Sequence, residues 1–171
     1  MVDYLFQQKY WWMKYLLTIF LTLALWIGCA KAPNYSKEPK IEFRNLTKSV
    51  MKQGKSNEDT TFATIFFTDG DGDIGSENNT PNIFIIDKRL LNDTTESSAI
   101  PNVPPQGTGN GISGNITFKL YNSCCIFKNQ IPCTPSIQKP VDTLIYQIFI
   151  KDRAGKRSNI VEASPIYLMC K

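Results

Sequence analysis

The run Thr61–Phe67 reads TFATIFF and consists mostly of β-branched and aromatic residues. These residue types are enriched in strands, and such a continuous apolar run is typical of a strand buried on both faces. Ile41–Arg44, Ile116–Tyr121 and Leu144–Lys151 follow a period of two, which predicts strands that turn one face to a core. Further strands are predicted at Asn82–Asp87, Asn159–Val161 and Ser164–Met169.

About six or seven short strands with turn residues between them, and no helical pattern after residue 28, predict an all-β chain. We expect a single antiparallel β-sandwich over residues 40–171, which are enough for one domain with a core of its own. Two connections stand out. Met51–Asp59 is polar and is predicted to be a plain connector, whereas Lys88–Asn115 is rich in proline and glycine and favours disorder.

The N-terminal part of the chain has the pattern of an export signal. Met13–Cys29 reads MKYLLTIFLTLALWIGC, and the uncharged run after Lys14 is about 13 residues long. That length fits the apolar core of a signal peptide and falls short of the roughly 20 residues that span a bilayer. Gly28 and Cys29 close the run and resemble a bacterial lipobox, in which the thiol is acylated and the peptide is cut before the cysteine.

The lipobox predicts how the N-terminal residues are organised. Residues 1–28 would form a helical lipoprotein signal peptide, and residues 29–39 would form the lipidated Cys29 with a polar, proline-containing tether. Acyl chains on Cys29 would anchor the protein stably in a membrane. The alternative is an uncleaved signal anchor with an ordinary, unmodified Cys29. Translation is expected to start at Met13, because residues 1–12 are unusual in front of such a core.

Composition argues against several classes of function. The chain has no histidine, which removes the usual histidine-dependent serine and cysteine catalysis and all histidine-ligated zinc chemistry. No Walker loop is present, and no GxGxxG follows a strand. The net charge is +4, but the cations are scattered rather than clustered, so no nucleic-acid surface is indicated. We therefore expect a protein that is not an enzyme and does not bind nucleic acid.

An acidic motif follows the TFATIFF run. Phe67–Gly75 reads FTDGDGDIG, with Asp69, Asp71 and Asp73 at every second position. Glycines between the aspartates allow the three carboxylates to turn towards one point, and calcium takes about six to eight oxygen ligands of this kind. Like charges this close repel one another unless a cation is present. The motif therefore makes calcium the candidate ion.

The motif is not an EF-hand, which would need glycine at Ile74 and a bidentate glutamate at Thr80. Further ligands would have to come from Glu77, or from Asp152 or Asp87 in neighbouring loops. The alternative interpretation is a tight, solvated turn of aspartate and glycine that simply ends the strand.

Four cysteines remain besides Cys29, and an even number in an exported chain predicts two disulfides. A bond between the neighbours Cys124 and Cys125 would be strained. We therefore expect one of these two to pair with Cys133 and the other with Cys170. The alternative is a cysteine-ligated metal.

The stretch Ile150–Asn159, IKDRAGKRSN, lies between two predicted strands and is interpreted as a turn. Asp152 can cap the turn and Gly155 can take a positive φ. Its three cations, Arg153, Lys156 and Arg157, could meet an anionic partner or could simply be solvated.

In combination, these motifs resemble the small lipoproteins of Bacteroidota envelopes. The last turn is also similar to the D-x-A-G-N-x-S turn of bacterial immunoglobulin-like domains, with Lys156 at the usual asparagine. The resemblance implies an immunoglobulin-like or fibronectin-like sandwich and no known activity. Because residues 30–33 carry no acidic side chain, it implies an outer-membrane anchor that faces the periplasm rather than the cell surface.

The sequence thus predicts a lipid-anchored protein of the bacterial cell envelope with a non-catalytic binding or structural domain. Its partners would be membrane lipid, through Cys29, and an envelope protein or glycan. The alternative is a small metal-dependent envelope hydrolase that uses Asp69, Asp71 and Asp73 to hold the metal as a Lewis acid.

Overall fold

The computed structural model describes residues 12–19, 34–55, 58–90, 94–101, 103 and 111–171. The chain forms two compact units, Met1–Ala32 and Pro33–Lys171. In the first unit, residues 12–19 form a helix. No helix among the described residues is long and apolar enough to cross a membrane. Cys29 and most of the predicted signal core lie outside the described residues.

The second unit is built from β-strands. Its described residues contain ten strands: β1 (Lys40–Leu46), β2 (Val50–Lys52), β3 (Thr60–Asp69), β4 (Ile83–Asp87), β5 (Thr94–Ser98), β6 (Ile112–Tyr121), β7 (Val141–Leu144), β8 (Tyr146–Ile150), β9 (Val161–Glu162) and β10 (Ile166–Met169).

The strands form three sheets, ordered β1-β3-β6, β2-β10-β7 and β5-β4-β8-β9. The predicted all-β, sandwich-like fold is confirmed. One pairing differs from the antiparallel expectation, because β10 runs parallel to β2. Parallel neighbours need a long crossover, and the chain between Lys52 and Ile166 supplies it.

The longest pairing joins β3 to β6 and runs from Thr60 opposite Tyr121 to Asp69 opposite Ile112. Along β3 the side chains alternate between buried and partly exposed, and Phe62 is 43% exposed. The prediction that this strand is buried on both faces was therefore wrong. Its outer apolar side chains are partly covered by polar ones, as where the guanidinium of Arg44 lies 4.8 Å from the ring centroid of Phe66.

The inward side chains form one apolar core shared by the sheets. Its fully buried large members include Met51, Ile65, Ile74, Ile83, Ile85, Leu120, Leu144, Tyr146, Ile148, Ile150, Ile166 and Leu168. Most come from the alternating positions that the sequence pattern indicates. Ile74 comes instead from the loop after β3, so the acidic motif is fixed to the core by one of its own residues.

One predicted strand is divided in two. Leu144–Lys151 has a continuous alternation, but the ladder stops at Ile145. Leu144 pairs with Ile166 in one sheet, whereas Tyr146 pairs with Asp87 in another. The chain passes from sheet to sheet here, which keeps both halves on the core without changing their apolar period.

Two predicted connections contain strands. The start of Met51–Asp59 belongs to β2, and Lys88–Asn115 contains β5 and the first residues of β6. These parts are ordered by pairing, β5 with β4 and β6 with β3. Residues 91–93, 102 and 104–110 of the proline- and glycine-rich connection lie outside the described part of the chain.

Both predicted disulfides are present. Cys124 is bonded to Cys133 and Cys125 to Cys170, with Cα atoms 4.4 and 5.9 Å apart. The second bond joins the segment after β6 to the residue that follows β10. It lies in the core, where Cys125 is 2% and Cys170 0% exposed.

Candidate metal centre

The acidic motif begins where β3 ends. Asp69 is the last residue of β3 and is fully buried. Its Oδ2 accepts a hydrogen bond of 2.9 Å from the backbone N–H of Asp73, which closes the loop on itself. Gly72 lies between them with φ 70°, a backbone conformation that residues other than glycine rarely adopt. The alternation of aspartate and glycine thus lets the loop reverse direction around its carboxylates.

The loop after β3 contacts the turn after β8 through Asp73. The Asp73 carbonyl accepts a hydrogen bond of 3.1 Å from the N–H of Arg153. Its carboxylate Oδ2 accepts a second one of 3.2 Å from the N–H of Ala154. These two bonds bring Asp152, the residue before Arg153, to the side of the loop.

The turn after β8 is closed around Asp152, as its sequence predicts. The Asp152 carbonyl accepts from the N–H of Gly155 at 3.1 Å, and Gly155 has φ 85°. Asp152 Oδ1 caps the turn by accepting from the N–H of Lys156 at 2.7 Å. Asp152 itself is 6% exposed, so its carboxylate points inwards rather than into solvent.

Four carboxylates meet at this junction. One oxygen from each of Asp69, Asp71, Asp73 and Asp152 lies within 4.8 Å of the other three. Three oxygens of the group are buried without a hydrogen-bond partner: Asp69 Oδ1, Asp73 Oδ1 and Asp152 Oδ2. Buried polar atoms are normally hydrogen-bonded, and an exception points to a missing ion or water. The cluster could therefore hold a metal ion.

The electrostatics of the cluster favour added positive charge. The pKa of Asp69 is raised to about 6, chiefly by burial and also by the charges of Asp71, Asp73 and Asp152, against the opposing hydrogen bond from the Asp73 N–H. The pKa of Asp73 is also raised, first by burial and then by the neighbouring carboxylates. A cation among these groups would restore their ionised forms.

Lys156 brings an ammonium group to the cluster. Its Nζ donates a hydrogen bond of 2.5 Å to Asp71 Oδ2. This bond lowers the pKa of Asp71. The same Nζ lies 3.6 Å from Asp152 Oδ2, which is within ion-pair range but too long for a hydrogen bond. From the sequence alone, Lys156 is expected to be a solvated or partner-binding cation. The sequence signal for this contact is that Lys156 follows Asp152 by four residues. The turn brings the Lys156 side chain back over that of Asp152.

The other two cations of the turn have different surroundings. The guanidinium of Arg157 lies 3.8 Å from the ring centroid of Phe149. Arg153 Nη1 donates to the carbonyls of Ile74 and Val103, both at 3.4 Å. The turn therefore directs its cations to aromatic, carbonyl and carboxylate groups of its own domain.

Two of the predicted oxygen donors are not brought together with the others. Glu77 is exposed and lies outside the group of four carboxylates. Asp87 is buried at the end of β4, where Arg89 donates to it and to Asp142 at distances of 2.5 to 3.3 Å. Of the two donors expected from neighbouring loops, the fold therefore brings Asp152 to the acidic motif, whereas β4 carries Asp87 into a separate ion pair.

An open cleft borders the cluster. It has a volume of about 470 Å³ and is lined by Gly75–Asn78 and by Asp152, Phe84 and Lys151, among others. Asp152 is the residue that the cleft and the carboxylate cluster share. Among the described residues, the donors at the centre are thus carboxylates, which suit a hard cation.

No family model, no curated protein and no solved structure matches this chain.

Proposed function

We propose that this chain is a lipid-anchored protein of the bacterial cell envelope whose β-domain binds a partner without catalysing a reaction. In this proposal Asp69, Asp71, Asp73 and Asp152 hold a calcium ion. The ion fastens the loop after β3 to the turn after β8. The observation that supports the ion is the convergence of buried carboxylate oxygens without hydrogen-bond partners.

Calcium fits this donor set better than other common ions. The donors are carboxylate oxygens, which calcium accepts in a flexible shell of about six to eight ligands. Magnesium demands a near-ideal octahedron and keeps several waters, which suits open sites with few protein ligands. Zinc sites are built mainly from histidine and cysteine, and the four cysteines of the β-domain are used in disulfides.

The role of the ion would be structural. It would neutralise carboxylates that burial and mutual repulsion disfavour, and it would add a cross-link between two segments that already share hydrogen bonds. Together with the buried disulfide Cys125–Cys170, this would make a stiff module that holds its loops in fixed positions. An immunoglobulin-like sandwich that presents loops to an envelope protein or glycan fits this description.

Calcium binding can be tested on the purified full-length chain in detergent. After removal of metal with a chelator, calcium should raise the melting temperature, because an ion that binds only the folded state stabilises that state by mass action. The Asp71→Ala change should abolish the rise. Glu77→Gln, which alters a nearby carboxylate outside the cluster, should leave it intact. No shift at millimolar calcium would overturn the calcium proposal.

The anchor rests on the sequence of Met13–Cys29. We propose that Cys29 carries lipid and that the protein is held at the outer membrane facing the periplasm. The mass of the mature N-terminal peptide from native membranes tests this: it should begin at Cys29 and carry acyl chains. A mature protein that is soluble and unmodified, or a Cys29→Ser protein that fractionates and migrates like the wild type, would overturn it.

A second function is favoured by one observation, the cleft of about 470 Å³ beside Asp152. If the metal had a coordination position open to this cleft, the protein could act as a metal-dependent hydrolase. Assays of the calcium-, magnesium- and manganese-loaded protein on model phosphate esters and glycosides would decide. Turnover that is lost in Asp152→Asn would favour the hydrolase, and no turnover with any ion would favour the binding module.

A further inference from the structure

One side chain connects the carboxylate cluster to the segment that leads into β1. The Lys156 ammonium contacts Asp71 and Asp152, and it also donates a hydrogen bond of 3.2 Å to the carbonyl of Lys37. Lys37 belongs to residues 34–39, which the sequence assigns to the tether. We call residues 34–39 the tether root.

The tether root packs directly on the acidic loop. The Ser36 carbonyl accepts a hydrogen bond of 2.7 Å from the N–H of Gly70, and a Cβ on Gly70 would lie 2.4 Å from the carbonyl oxygen of Tyr35. The Tyr35 hydroxyl is 3.4 Å from Ser113 Oγ on β6. The glycine between Asp69 and Asp71 thus leaves room for the root, and the hydrogen bond from Lys156 to Lys37 is a further contact that holds it.

The position of Lys156 makes it a competitor of any metal ion. Its ammonium already neutralises Asp71, which is one of the four carboxylates, and lies near the partnerless Oδ2 of Asp152. A divalent cation drawn to the same oxygens would repel a positive charge a few ångströms away. The Lys156 side chain is 33% exposed, so its ammonium has a path into solvent.

We propose that Lys156 is the resident counter-ion of the acidic site, and that a divalent cation displaces its ammonium and thereby releases the tether root at Lys37. This rests on the proposed function, since it assigns the regulation of the same site. By linkage, a cation that loosens the root binds more tightly when the root is already loose. The cation concentration would then set how closely the domain is held to its anchored segment.

The first test is calcium binding by titration calorimetry on the full-length chain in detergent. Lys156→Met removes the charge but keeps an unbranched side chain, so the Kd for calcium should fall about tenfold or more. Lys156→Arg keeps the charge and should stay within about threefold of the wild type. Lys151→Met, which removes a nearby lysine that lies over Phe84, should have no effect.

The second test follows the tether root itself. A lysine-specific protease that does not need calcium cuts after Lys37, whose carbonyl is the acceptor for Lys156. Calcium should speed this cut several-fold in the wild type, while in Lys156→Met the cut should be fast with and without calcium. Cleavage after the exposed Lys55 in the same molecules is the internal control and should not change. A slower or unchanged cut at Lys37 on adding calcium would overturn the release.

The two tests together separate this inference from the proposed function. If Lys156→Met binds calcium and the wild type does not, the counter-ion role stands and calcium occupancy of the native protein fails. If both proteins bind calcium equally well, the calcium proposal stands and the counter-ion role is overturned. If neither protein binds calcium, both are overturned.

Discussion

The backbone N–H of Ala154 donates a hydrogen bond of 3.2 Å to the carboxylate of Asp73, although 81 residues separate them in the chain. A second bond, from the N–H of Arg153 to the Asp73 carbonyl, lies beside it. The loop after β3 and the turn after β8 are therefore joined by backbone groups before any ion is considered. Changes at the carboxylates should consequently be measurable in the stability of the whole β-domain.

Asp69→Asn should have opposite effects with and without calcium. Without the ion, asparagine removes one of four clustered charges and can donate to a neighbouring carboxylate oxygen, so the variant should be more stable than the wild type by about 1 to 2 kcal/mol. With calcium at about 100 times its Kd, the wild type gains about 2.7 kcal/mol, and the variant should gain less. Urea denaturation at pH 8, with chelator and with calcium, measures both differences.

The matched control is Glu77→Gln, because Glu77 is an exposed carboxylate near the same loop but outside the cluster. It should behave like the wild type under both conditions. If Asp69→Asn loses stability in chelator as well as in calcium, the idea that repulsion dominates the ion-free site is wrong.

Arg89→Met should be among the most destabilising single changes to a charged residue of the domain. Arg89 is 15% exposed and joins Asp87, whose side chain is fully buried, to Asp142. Removing one partner of a buried ion pair costs about 3 to 5 kcal/mol. Lys88→Met is the control, because Lys88 and Glu162 form an exposed pair that contributes about 0 to 1 kcal/mol. Equal losses in chemical denaturation of the two variants would contradict this ranking.

Much of the fold could be predicted because the core alternates with a period of two. The inward positions of Ile41 and Ile148 follow directly from that pattern. The division of Leu144–Lys151 could not be predicted, because alternation continues across Ile145 while the pairing partner changes. Which neighbour a strand pairs with depends on contacts far apart in sequence, and the local pattern carries no information about them.

The candidate site shows the same division between local and distant information. Asp69, Asp71 and Asp73 can be grouped from their spacing, and the sequence offers Asp152 or Asp87 as a donor from a neighbouring loop. The inward direction of Lys156 and the packing of the tether root on Gly70 could not be predicted. Both depend on the close approach of residues 34–39 and the turn after β8, which the sequence does not encode as a motif.

The two disulfides should differ in their contribution to stability. In the chain-entropy estimate, a bond closing 45 residues contributes about 4 kcal/mol and one closing 9 residues about 2.6 kcal/mol. Replacing Cys125 and Cys170 by alanine should therefore cost more than replacing Cys124 and Cys133. Burial of Cys125 and Cys170 adds to the difference, because alanine leaves space in the core.

Denaturant unfolding of the two double variants measures these costs directly. Using alanine at both ends of each bond avoids a leftover thiol. A larger loss from the Cys124 and Cys133 pair would show that the local loop, rather than the fastening of residue 170 to the core, is the more important constraint.

Glu96 should make the domain less stable as the pH rises through neutrality. Burial raises the pKa of Glu96 from 4.5 to about 7, against the opposing hydrogen bond from the Tyr121 backbone. The folded state therefore holds this proton more tightly than the unfolded chain. The resulting stability is complete below about pH 4.5 and is lost as the pH rises towards 7. One pKa unit corresponds to about 1.4 kcal/mol, and since Glu96 is partly exposed we expect a total of about 1 to 3 kcal/mol.

Glu96→Gln isolates this contribution, because glutamine still accepts from Tyr121 but does not titrate. The difference in unfolding free energy between Glu96→Gln and the wild type should move in favour of the variant between pH 5 and pH 8. Besides Glu96 itself, the charged groups Asp87 and Arg89 act on the neighbouring Tyr146. Both are the same in the two proteins, so their contributions to the unfolding free energy cancel in the comparison. Glu162→Gln is the contrasting control, because Lys88 lowers the pKa of Glu162 and its stabilisation is lost as the pH falls. A difference for Glu96→Gln that stays constant with pH would show that burial does not govern this carboxyl group.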